Sequence, residues 1–68
     1  MSNEEWCDVL LESLSLVEKS VSLGGFMDHI QRCEDVFART SSTSSQRTRL
    51  AEFKCRAGLR LAKSRAAA

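Results

Sequence analysis

Residues 6–37 read WCDVLLESLSLVEKSVSLGGFMDHIQRCEDVF, and this stretch decides the fold class. Cys7, Leu10, Leu14, Val17 and Val21 recur at alternating spacings of three and four, which lines them along one face of a helix. Phe26, Ile30, Cys33 and Phe37 repeat the pattern further on. Between the two runs stand Leu23, Gly24 and Gly25. Glycine tolerates the left-handed backbone that closes a last helical turn, so the stretch reads as an antiparallel helical hairpin, over about 3–23 and about 26–39. Ser2, three residues before Glu5, gives the first helix a capping box. Asp28 and Arg39 suit the two ends of the second helix dipole.

Beyond the hairpin, residues 40–45 are Thr-Ser-Ser-Thr-Ser-Ser. With no apolar side chain to bury, they read as a linker, and Ser44 or Ser45 can cap the next helix. That third helix is expected over about 46–64, with Leu50, Phe53, Ala57 and Leu61 as its apolar face. Gly58 costs about 1 kcal/mol inside a helix, a cost that suggests another backbone packs closely there. The chain is thus read as all-α, a three-helix protein forming one domain, 1–68. A core this small yields only about 3–5 kcal/mol, and chains of this size commonly add disulfides, a metal or a second subunit.

Charge divides the chain. Residues 1–40 carry eight acidic and three basic side chains, whereas residues 41–68 carry one acidic and seven basic. On the third helix Arg49, Arg56, Arg60 and Lys63 fall within a stripe roughly 60° wide at ~100° per residue. These four are candidate phosphate-binding residues, since a row of guanidinium groups suits a nucleic-acid backbone. Arg47, Lys54 and Arg65 flank the apolar face on its other side. The plainer reading is that these stems cover the core while their heads meet acidic neighbours of the first helix.

Catalysis, cofactors and metals find little support. Cys7, Cys33 and Cys55 with His29 reach the ligand count of a zinc site, but Cys7 and Cys33 sit on apolar seams, where cysteine acts as a small hydrophobe. No cofactor, metal or small-molecule substrate is expected, and no enzyme activity. Pairing about Gly24-Gly25 would displace Cys7 from Cys33 by roughly 13 Å, too far for a disulfide. Three widely spaced cysteines suit a reducing compartment. The N-terminus lacks a basic region followed by an apolar run, so no signal peptide is expected. No apolar run approaches the ~20 residues of a membrane span. The expected location is cytoplasmic, with no membrane partner.

Trp6 suits core packing on the first helix. That helix, however, is expected to outrun the second, leaving Trp6, Cys7 and Leu10 overhanging, while Val9 and Leu16 lie off the main seam. Surplus apolar surface on a small helical chain marks an interface. Trp6, Val9, Leu10 and Leu16 are therefore the candidate partner-binding residues. The function expected is a small non-enzymatic interaction protein, a regulator, adaptor or chaperone-like subunit, that self-associates (as a dimer above all) or docks on a larger protein. The alternative is a nucleic-acid-binding regulator that uses the arginine-rich third helix.

Overall fold

The computed structural model describes residues 2–67; Met1 and Ala68, the outermost positions of the expected domain, lie outside the described residues. Three helices pack on one another, α1 (Asn3–Ser20), α2 (Leu23–Arg39) and α3 (Ser44–Ala67). The three-helix, all-α reading of the sequence therefore holds, and α3 packs against both arms of the hairpin.

The first turn lies earlier than the glycines suggested. Ser2 caps α1 by accepting the Glu5 amide at 3.2 Å. At the other end the Val21 amide donates to the Val17 carbonyl at 3.1 Å. Val21 and Ser22 are both extended, and Ser22 Oγ accepts the Gly25 amide at 3.3 Å. A serine hydroxyl that satisfies an orphan donor of the first turn starts a helix here, so Gly24 and Gly25 fall inside α2 rather than ending α1. Neither adopts a positive φ. Gly25 is explained by proximity instead: a Cβ there would stand 3.3 Å from Val21 Cγ2.

The second connection is also shorter and tighter than a six-residue linker. Thr40 closes α2, its hydroxyl donating to the Val36 carbonyl at 2.9 Å. Ser44 and Ser45 already belong to α3. The cap is Thr43 rather than either of them. Its Oγ1 accepts the Gln46 amide at 3.1 Å while Gln46 Oε1 accepts the Thr43 amide at 2.9 Å, a reciprocal capping box.

The core joins Cys7, Leu11 and Leu14 of α1 to Phe26, Ile30, Cys33 and Phe37 of α2 and to Leu50, Phe53 and Ala57 of α3. Phe26 and Phe53 meet edge to face at 6.2 Å, the geometry that the ring quadrupole favours. On α1 the buried face is rotated from the expected seam. Leu11 is fully buried, Leu10 and Val17 pack at the margin, and Val21 is exposed. The rotation follows from α3, which draws inward the side of α1 that carries Leu11 and Glu18. Leu61, expected on the α3 face, is half-buried.

The earlier turn also changes the cysteine register. Cys7 and Cys33 both lie in the core, and the Cys33 thiol is pushed up to about 11 by burial and by the nearness of Cys7. All three cysteines are nonetheless free thiols, Cys55 exposed on α3.

Candidate interaction surface

Gln46 holds the two ends of the bundle in register. Its side-chain amide is buried and donates from Nε2 to the Glu4 carbonyl and to Asp8 Oδ1, both at 2.9 Å. A buried amide with every arm occupied fixes geometry, because any slippage leaves an unpaired polar group. These contacts place the start of α3 beside the start of α1, so the two run parallel. The early turns of α1 do not overhang. Cys7 is completely covered, with its Sγ 3.7 Å from Thr40 Oγ1. The overhang lies at the opposite end, where residues 62–66 of α3 are all exposed, beyond the end of α1 at Ser20.

Covering Cys7 does not cover its neighbours. Trp6 is 42% exposed, Val9 43% and Leu16 70%, and Leu10 is half-buried. The four candidate partner-binding residues share the side of α1 turned away from α3, with half-buried Ser13 and Val17 and exposed Ser20 among them. Between Trp6 and Ser20 this surface carries no charged side chain; Glu5, Glu12 and Lys19 border it along one edge. Sequence reasoning misses Ser13 and Ser20, which stand three or four residues from Leu16 but carry no apolar signal, and places Val17 on the core seam instead.

The basic stripe of α3 is divided by its contacts. Arg56 forms a two-pronged pair with Glu18, Nε to Oε2 at 2.8 Å and Nη2 to Oε1 at 3.3 Å, and lies 4.5 Å from the Phe53 ring centroid. Those hydrogen bonds hold the guanidinium charged and raise its pKa. Arg60 donates to the Glu18 carbonyl at 3.5 Å and stands over the Phe26 ring at 5.8 Å. Arg49 and Lys63 form no ion pair among the described residues; Lys54, from the other flank, pairs with Glu34 at 2.6 Å. The middle of the stripe thus bonds to α1 while its stems lie over core phenylalanines, with Arg56 still exposed. Beside it an open hollow of about 250 Å³ is lined by Glu18, Arg56, Leu59, Arg60 and Lys63, and Leu59 is 60% exposed there.

Gly58 does not mark a close approach. A Cβ at that position would meet nothing within 4 Å. His29 is half-buried on α2 and Cys55 lies on the outside of α3, and among the described residues no three metal-ligating side chains converge. Within the same residues, no helix is long and apolar enough to cross a membrane. Comparison with known proteins finds no matching family model, curated protein or solved structure.

Proposed function

We propose that this chain is a small non-enzymatic interaction module that works by docking α1, through Trp6, Val9, Leu10 and Leu16, on another polypeptide. The carrying observation is the exposure of Leu16, 70% open to solvent on the same outer side of α1 as Trp6 and Val9, which are also exposed. Apolar side chains clustered on one face, rather than scattered singly, mark a binding surface. The role is that of a regulator, adaptor or chaperone-like subunit, and the three free thiols suit the reducing cytoplasm. The nucleic-acid reading is weaker, because Arg56 and Arg60 already serve Glu18 and the core aromatics.

The test is photo-crosslinking in cells, with a photoreactive residue at position 16 and, as control, at exposed position 31 on α2. Discrete adducts from position 16 and none from position 31 are expected. Equal or absent adducts at both would sink the reading.

A further inference from the structure

The uncharged face of α1 repeats every seven residues, as the core face does at Cys7 and Leu14. Trp6, Ser13 and Ser20 stand seven apart; so do Val9 and Leu16, and so do Leu10 and Val17. Spacing of this kind gives α1 a second face along which another helix can lie. Along its edge Glu5, Glu12 and Lys19 are also seven apart, the flanking position from which charges set a partner's orientation.

We infer, building on the interaction reading above, that the occupant of this face is a second copy of the chain, with its α1 antiparallel about a two-fold axis at Ser13. A two-fold contact uses the same patch on both subunits. Antiparallel pairing then places Trp6 in a layer with Ser20 of the other copy, Val9 with Val17, Leu10 with Leu16, and Ser13 with itself. Large side chains meet small ones at the ends, and serine at the centre lets the helices approach.

Charge selects this orientation. Antiparallel helices bring like edges together, so Glu5 faces Lys19 of the other copy twice, and only Glu12 meets its own equivalent. A parallel pair would set this edge against the opposite one, Asn3, Leu10 and Val17, which is uncharged, and would form neither ion pair. The contact is small: α1 is about 27 Å long and about 10 Å wide, a footprint on the order of 300 Å² per chain, well below the ~800 Å² per partner of stable complexes. The dimer is accordingly weak and transient, populated only at high protein concentration.

Sedimentation equilibrium of the full chain from about 10 µM to 1 mM tests this, with folding followed by circular dichroism. The mean mass should rise from 7.6 kDa towards twice that value. Leu16→Glu should stay monomeric throughout while unfolding at an unchanged temperature. Glu5→Lys or Lys19→Glu alone should weaken dimerisation about 5-fold, and the double exchange should restore it, since each pair is rebuilt with reversed signs. Glu12→Gln should tighten it about 2-fold by removing the one repulsion. A wild-type chain that is monomeric at 1 mM, or a double exchange that restores nothing, overturns the inference. So does self-association that survives Leu16→Glu but is lost on reversing Lys63, because the contact then runs through α3. If the chain stays monomeric yet crosslinks from position 16 to a polypeptide of another mass, the dimer is excluded and the interaction surface stands. If position 16 crosslinks to nothing, both fall.

Discussion

The two sides of α1 are almost equally apolar and have opposite fates. The inner side, Cys7, Leu11 and Leu14, is fully buried; the outer side, Trp6, Val9 and Leu16, is open to solvent. Both periodicities are present in the same eighteen residues. A helix can turn only one stripe to its own core, and the arrival of α3 chose which. What distinguishes core from surface here is the neighbour, not the hydrophobicity of the side chain.

Thiol chemistry gives the largest contrast between inside and outside. Cys55 should alkylate readily, whereas Cys7 and Cys33 should react about 10²–10⁴-fold more slowly, protected by a folding margin of about 3–5 kcal/mol. Equal reactivity of all three at pH 8 would mean that the core is not closed. The same burial has a pH consequence. Cys33 keeps its proton up to about 11 in the folded chain, against an ordinary value of 9.0. The unfolded thiol ionises first, so stability should be complete below pH 9 and fall as pH rises towards 11.

The next largest contrast pairs two leucines five residues apart. Leu11→Ala removes a fully buried side chain and should cost about 2–5 kcal/mol. Leu16→Ala, at a site 70% exposed, should change stability by less than about 0.5 kcal/mol. Urea denaturation of the two variants at low concentration, below any self-association, measures the difference. Comparable losses would place Leu16 in the core and leave α1 without a free outer face.

The smallest effect runs the other way. Gly58→Ala adds a methyl group where nothing lies within 4 Å. It should raise stability by up to about 1 kcal/mol, the difference in helix propensity, seen as a higher urea midpoint with an unchanged slope. A loss would show that some backbone does pack against α3 at that point.

Much of the fold was legible along α2. Phe26, Ile30, Cys33 and Phe37 were read as one seam and are all buried, because no other periodic face competes on that helix. On α1 two overlapping patterns competed, and spacing alone favoured Leu10 over Leu11. The turn was misplaced for a related reason. Gly24-Gly25 is the stronger breaker by residue type, but Ser22, one hydroxyl ahead of an orphan amide, starts the helix. The candidate surface was legible in the residues Trp6, Val9, Leu10 and Leu16, whereas its extent through Ser13 and Ser20 was not, since serine carries no hydrophobic signal.

The sequence by itself determined three helices, the composition of the seams and the opposition of an acidic hairpin to a basic third helix, because these depend on residues within a turn or two of one another. Tertiary structure alone decided which side of α1 faces inward and how Gln46 ties Glu4 and Asp8 to the start of α3. It also decided that Arg56 and Arg60 both bond to Glu18. Those contacts join residues about 40 positions apart, and nothing in local spacing encodes them; they exist because a polar group drawn into a packed interface must find its partner there.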